Sequence, residues 1–329
     1  MLKNILVRLL DTFVREPRLI WRYYRPFFSK KSRKKGLNVF MVDGRVGHGG
    51  MFDRLKGAIS VYAISKVQKK HYRINFTYPF QLTDYLEPNH YDWRIKQEDI
   101  CYHYPAARPL FLYGECFNPK RLFKNRGCEA HFYYGYDSLD VINKHYGTAF
   151  EWGELYREVF KPTPYLQKYI DHYQQEMGKE YIVVHTRFLN LLGDKVETAI
   201  NPELPAADKE KLMRQMLDKI EEVASENKMR VIMLASDSMT FIAYVQREMP
   251  DVHVVPGQVK HIDTAGETND AEIIKMFLDY YLISGARKVY SLVGEGMWSS
   301  AFPEYAAKIG NAEFERIYMI NNRVNTLKQ

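Results

Sequence analysis

The sequence predicts an α/β protein built on mostly parallel sheets, and three observations predict it. Short apolar, β-branched runs alternate with stretches of helical periodicity, most regularly from Tyr181 onward. Polar residues cluster where several of those runs end. The 329 residues amount to two domains at about 150 residues each. A composition of 46% hydrophobic and 26% charged residues excludes a mostly disordered chain and a polytopic membrane protein.

The elements follow in order. Leu37–Val42 reads as a short buried strand, followed by the glycine-rich turn Gly44-Arg-Val-Gly47-His-Gly49-Gly50. From Asp53 the pattern is helical, with Leu55, Ile59, Tyr62, Ala63 and Val67 on one face. Tyr72–Phe76 and Leu110–Tyr113 read as strands, and the rest of 78–136 reads as irregular, rich in aromatics and histidines. Helices are expected near 151–160 and 164–177, with Pro162 and Pro164 as breakers between them. Tyr181–His185 is the next strand. Asp208 is expected to cap a helix whose apolar face is Met213, Met216, Leu217, Ile220 and Val223. Strand 230–235, helix 239–249 and strand 252–255 come next. Helix 270–284, with Gly285 as its C-terminal glycine, leads into strand 288–292, helix 297–309 and strand 317–320.

Charge is concentrated at one end. Residues 1–36 hold 11 basic and two acidic residues, a net of +9, whereas the remainder is close to neutral at −2. The overall +7 therefore belongs to the N-terminal segment, and nothing in the body's composition points to nucleic acid. Ile5, Leu6, Leu9, Leu10 and Phe13 recur at helical spacing, with Trp21, Tyr23, Tyr24, Phe27 and Phe28 following among arginines. No run reaches the ~20 apolar residues that span a bilayer. A basic amphipathic segment lying on an anionic membrane surface is the expectation, with residues 1–35 outside the sheets and dispensable for folding. The plainer alternative is a helix packed on the body with its Lys/Arg cluster in solvent. Cys101, Cys116 and Cys128 form no C-x-x-C pair, which argues against a disulfide framework and for a reducing compartment. The expected location is the cytoplasm, peripheral on the inner face of the cell membrane.

Parallel sheets bind ligands beyond the carboxyl ends of their strands, beside helix N-termini. Three such ends are polar here: His185-Thr-Arg187, Ser236-Asp237-Ser238 and Glu295-Gly-Met-Trp-Ser299-Ser300. Arginine grips phosphate through a planar fork, serines donate to its oxygens, and an aspartate accepts from a base edge. The turn Gly47–Gly50 is neither G-x-G-x-x-G nor a P-loop, which disfavours a standard dinucleotide fold or an NTPase. No H-E-x-x-H, paired-cysteine or EF-hand spacing occurs, so no metal is expected.

These motifs resemble a known group. Gly47-His-Gly-Gly-Met-Phe-Asp53-Arg54-Leu-Lys-Gly57, between a first strand and helix, resembles the N-terminal glycine motif of GDP-fucose-dependent fucosyltransferases. That group includes bacterial α-1,2, nodulation-type α-1,6 and protein O-fucosyltransferases. Pro164-Tyr-Leu through Tyr181-Ile-Val-Val-His185-Thr-Arg187 is similar to the approach to their H-x-R motif, and Asp194-Lys-Val-Glu197-Thr to the acidic segment that follows it in the α-1,6 type. Where the group has a second Arg and an Asp soon after H-x-R, this chain has Phe188 and Asn190.

The resemblance implies a GT-B architecture of two Rossmann-like domains facing a cleft: the basic tail 1–36, an acceptor-side domain 37–160 and a nucleotide-sugar domain 161–329. It implies inverting, metal-independent transfer of fucose from GDP-fucose to a glycan hydroxyl, on a surface polysaccharide or lipid-linked oligosaccharide, without a cofactor. His185, Arg187, Ser236, Asp237, Ser238, Ser299 and Ser300 would hold the donor together with Gly49 and Gly50. Arg187 and the helix N-terminus at Trp298–Ser300 would stabilise the leaving diphosphate. Glu197, or failing it Asp194, would be the base, and His48, Asp53 and Arg54 would face the acceptor. Two other readings compete: a GT-B transferase using another nucleotide sugar, and an inactive membrane-surface protein.

Overall fold

The computed structural model describes residues 2–26, 36–112, 119–178, 180–194, 202–227, 230–257 and 269–319. The chain divides into two compact units, Met1–Thr163 and Pro164–Gln329.

The first unit opens with helix α1 (Leu2–Leu10), a π-helical turn over Asp11–Arg15, and α2 (Glu16–Tyr23), then a short strand β1 (Arg25–Pro26). Strand β2 (Leu37–Val42) is buried along its whole length, and α3 (Met51–Val67) returns from it to β3 (His71–Phe76). After β4 (Leu86–Pro88) and β5 (His103–Tyr104) come β6 (Ala107–Phe111), α4 (Lys120–Phe123), β7 (Glu129–Tyr133), α5 (Leu139–Tyr146), α6 (Trp152–Val159) and β8 (Phe160–Pro162). The sheet runs β3-β2-β7-β6 and is parallel throughout. β4 and β8 form an antiparallel ribbon. Gly57 lets α3 approach the sheet closely, since a Cβ there would lie 2.2 Å from the Tyr134 carbonyl oxygen.

The reading of the rest of 78–136 as irregular is corrected by β7, the third strand of the sheet. Strand β7 escaped notice because Glu129 and His131 look exposed in sequence. Both are fully buried and pair with each other, His131 Nε2 to Glu129 Oε1 at 2.8 Å. His131 Nδ1 lies 2.6 Å from the Tyr24 hydroxyl, and the Cys101 amide donates to Glu129 at 3.1 Å. β6 starts three residues earlier than read and carries Pro109, which an edge strand tolerates.

The expectation of a dispensable tail is also corrected. Leu19 and Tyr24 belong to a core cluster with Leu37, Val39, Met41 and Tyr133. Glu16 is buried and accepts from Arg121 at 2.5 Å and from the Phe111 amide at 3.0 Å. Among the described residues no helix is long and apolar enough to cross a membrane.

The second unit contains α7 (Pro164–Met177), β9 (Ile182–Thr186), α8 (Ala206–Glu226), β10 (Ile232–Ser236), α9 (Met239–Glu248), β11 (His253–Val254), α10 (Asp270–Gly285), β12 (Lys288–Gly294), α11 (Phe302–Gly310) and β13 (Glu313–Met319). Its sheet is parallel in the order β11-β10-β9-β12-β13. The first three strands build outward in one direction and the last two in the other, which places the topological switch between β9 and β12. The core packs Ile182, Val184, Leu234 and Leu292 against Met216, Leu217, Ile220 and Val223 of α8.

Three boundaries differ from the sequence reading. Asp208 lies in the first turn of α8 behind Pro205, where its carboxylate meets the positive end of the helix dipole. Gly285 stays helical and serves close packing: a Cβ there would come within 2.8 Å of the Tyr181 hydroxyl. α11 begins at Phe302, its first turn fixed by Pro303, so Trp298–Ser300 are loop and not a helix N-terminus.

Candidate functional site

The switch point of the second sheet gathers the polar strand ends. His185 is the fourth residue of β9 and is buried against the Phe302 ring, 5.7 Å between centroids. Burial, reinforced by Arg187 and Arg316, lowers its pKa to about 3, so it is a neutral ring at physiological pH. Arg187, two residues on and the first after β9, is half-buried at the switch. Its carbonyl accepts from the Trp298 amide at 3.2 Å, which ties the loop after β12 to the end of β9. In that loop Gly296 takes φ +76°, a conformation glycine adopts without strain. Ser299 is exposed, its hydroxyl 3.3 Å from that of Tyr318. Ser300 is buried; its hydroxyl accepts from the Phe302 amide at 3.2 Å, and its carbonyl accepts from Arg316 at 3.0 Å.

The neighbouring end, after β10, is a scaffold for the first. Ser236 accepts from Thr186 at 2.9 Å, joining β10 to β9. Asp237 accepts from the amides of Phe188 and Leu189 at 2.8 and 2.9 Å and so fixes the turn that follows Arg187. Burial pushes its carboxyl up to about 6, against the pull of those two amides. Ser238 caps α9, accepting from the Phe241 amide at 3.0 Å, and donates to Asp194. Asp194 also accepts from the amide and hydroxyl of Thr240 at 3.1 and 2.9 Å. It therefore seals a helix start, which makes it a poor candidate for a base. Glu197 lies outside the described residues.

In the first unit, the turn between β2 and α3 is built around Arg54. This buried side chain donates to the Gly49 carbonyl at 2.8 Å and to the Tyr78 carbonyl at 3.2 Å. The acceptor-facing role expected of it gives way to a structural one. Asp53 is half-exposed and pairs with Lys56 at 3.0 Å. His48 is half-buried beside Phe40 and Tyr133, and desolvation of its ring, with Arg54 nearby, lowers its pKa to about 3. Gly50 is the N-cap of α3.

Sequence reasoning missed the polar cavity here. A cavity of about 400 Å³ lies at the carboxyl ends of β2 and β3, lined by Asp43, Arg45, Asn75, Thr77, Gln81, Ile95 and Gln97. Arg45 stacks 4.0 Å from the Tyr102 ring and pairs with Asp43 at 3.5 Å, and burial pushes the Asp43 carboxyl up. The polar triplet Asp43-Gly44-Arg45 directly after a strand was the available signal. Among the described residues no group of three or more His, Cys, Asp or Glu side chains could hold a metal ion.

No family model and no curated protein matches the chain. Solved structures do. The chain is similar to the α-1,6-fucosyltransferase NodZ soaked with GDP-fucose, at 16% identity and a TM-score of 0.55, over 84% of this chain and 93% of that one. NodZ co-crystallised with GDP gives a TM-score of 0.54, and a further NodZ structure carries its source, Bradyrhizobium. An Arabidopsis thaliana FUT1 variant in complex with GDP matches at 11% identity and a TM-score of 0.54, over 95% of this chain and 76% of that one. Two α/β units of mostly parallel sheet, the second with its switch point between the first and fourth strands, give this chain the GT-B fold of the fucosyltransferases.

Proposed function

We propose that the protein is a glycosyltransferase that moves fucose from GDP-fucose to a hydroxyl of a glycan, with inversion and without a metal. The observation that carries this reading is Arg187, held at the switch point between β9 and β12 on a fold whose solved examples include structures with GDP-fucose and GDP. The units divide the labour: the second takes the nucleotide sugar, and the first, through its polar cavity, takes the acceptor saccharide. An amide-rich lining with a paired Asp43 and Arg45 suits hydroxyls better than a free anion.

As the bond from the sugar's anomeric carbon to the diphosphate oxygen breaks, negative charge grows on the departing GDP. Arg187 and exposed Ser299 meet that charge from fixed positions, and preorganised donors of this kind are worth ~10²–10³ in rate each. His185, a neutral ring, packs behind Arg187 without adding a competing charge. Asp237 fixes the turn after Arg187, a positioning role. With Asp194 committed to α9, Glu197 is the base that takes the acceptor proton as the new bond to the anomeric carbon forms. We place the enzyme at the inner face of the cell membrane, with its N-terminal segment on the anionic surface and a surface polysaccharide or lipid-linked oligosaccharide as acceptor.

Nucleotide binding and transfer test this directly. In thermal shift, GDP-fucose is expected to stabilise the protein more than GDP-mannose, UDP-sugars or CMP-sugars, with EDTA making no difference. Arg187→Ala is expected to weaken GDP binding in calorimetry by about tenfold or more, and Arg187→Lys to fall short of recovery because it lacks the planar fork. Glu197→Gln is expected to keep GDP-fucose affinity and lower kcat by ~10²–10⁴. A preference for UDP- or CMP-sugars would reassign the donor. Unchanged GDP affinity in Arg187→Ala would displace the site.

A further inference from the structure

The N-terminal helices present a surface whose chemistry is one-sided. Residues 2–26 contain two acids, Asp11 and Glu16, and both are buried at 1% and 3% exposure. Asp11 is paired with Arg15 at 2.8 Å, and Glu16 with Arg121 at 2.5 Å. What remains outside is apolar and basic: Ile5, Leu6, Leu9, Leu10, Phe13 at 70%, Val14 and Trp21 at 88% exposure, with exposed Arg15, Arg18 and Arg22 beside them. Leu19 and Tyr24, on the other side, are sunk in the core, and Arg121 reaches both Glu16 and the Thr12 hydroxyl. Glu16, Leu19 and Tyr24 thus clamp the helix to the first unit, Asp11 is neutralised within the helix, and the apolar and basic side chains are left outside.

We infer that this clamped helix face, led by Phe13 and Trp21, is the element that docks the protein on an anionic lipid bilayer. The inference rests on the membrane reading above and adds which face binds and what orients it. A bilayer satisfies both halves of the surface at once: the acyl boundary takes the apolar side chains, and the headgroup charge takes the arginines. A second copy of the chain would bring two basic faces together with no exposed acid from this segment to offset them. Burying the acids also removes the repulsion they would meet at an anionic surface. The clamp holds the helix in one orientation, so docking fixes how the first unit faces the bilayer. Arg45, which lines the polar cavity, stacks 5.0 Å from Tyr23 at the end of the same helix.

The experiment compares the full chain with a Phe13→Glu/Trp21→Glu variant in sedimentation with phosphatidylcholine vesicles, with and without phosphatidylglycerol. Both substitutions are at exposed positions; circular dichroism and GDP calorimetry check that the variant is folded. The wild type is expected to pellet with the anionic vesicles and not the neutral ones, and the variant to partition at least about tenfold less. The tryptophan emission of the wild type is expected to shift to the blue on anionic vesicles, and Trp21→Phe to remove that shift while still pelleting. If the wild type does not pellet, the membrane reading falls and this inference with it. If wild type and double variant pellet equally, the membrane reading stands and the face is wrong, binding then belonging to the basic run of residues 30–35. A concentration-dependent dimer in sedimentation velocity that the variant dissolves would assign the face to a second copy instead.

Discussion

His185 and Asp237 sit at the ends of the neighbouring strands β9 and β10 and differ in chemistry: one is kept from gaining a proton, the other from losing it. The folded state holds His185 neutral down to about pH 3, whereas an unfolded histidine takes up its proton near 6.5. Between those values the unfolded chain binds more protons, so stability falls as pH falls through that window. His48 acts in the same direction. Asp237 works the other way: its folded pKa of about 6 exceeds the unfolded 3.8, so the folded state holds the extra proton between them and gains stability as pH falls from about 6 to about 4. Urea melts across that range are expected to show a shallower pH slope in His185→Asn than in wild type, by up to about 1.4 kcal/mol per pH unit, and a steeper one in Asp237→Asn. An unchanged slope in His185→Asn would mean that the ring is not held neutral.

At the scale of elements, α9 shows how a loop residue becomes structural. Asp194, far from the helix in sequence, accepts from Ser238 and twice from Thr240 and so completes the first turn of α9. Asp194→Ala is expected to cost about 0.5–2 kcal/mol in urea melts, the loss of a cap, while leaving GDP affinity close to wild type. A collapse of GDP binding in that variant would return Asp194 to the donor site. Most element cores were legible because periodicity reports which face is buried; ends were less so. The start of α10 fell where the sequence put it, and Asn269 and Glu272 fix it with a capping box, whereas α11 starts at Phe302, five residues later than read, because Pro303 sets its first turn. The start of α8 was not, because Pro205 and Asp208 both signal a beginning and only the observed backbone separates them.

For the whole molecule, the N-terminal segment divides at Asp11. Removing residues 1–10 is expected to leave the melting temperature nearly unchanged, because the described residues of α1 whose side chains face solvent add little to the core. Removing residues 1–24 takes Leu19 and Tyr24 from the core, together with the Glu16 partner of Arg121, and is expected to cost about 3 kcal/mol or more. Differential scanning calorimetry on the two truncations checks this; equal melting temperatures would mean that the clamp contributes nothing to the first unit.

The sequence by itself determined the fold class, the alternation of the second unit and the three polar strand ends, because apolar period and turn chemistry are local properties of the chain. It also determined the basic character of the N-terminal segment, which is a matter of counting. Only the tertiary structure decided that Glu129 and His131 form a buried strand, since they pair with each other while the Cys101 amide serves Glu129 and Tyr24, more than a hundred residues away, serves His131. It alone decided that Arg54 and Asp194 hold backbone in place, that Asp43 and Arg45 line a cavity, and that the segment's two acids turn inward. Each of those outcomes depends on partners brought together by folding, and a charged side chain carries no mark in sequence of whether its partner is water or the protein.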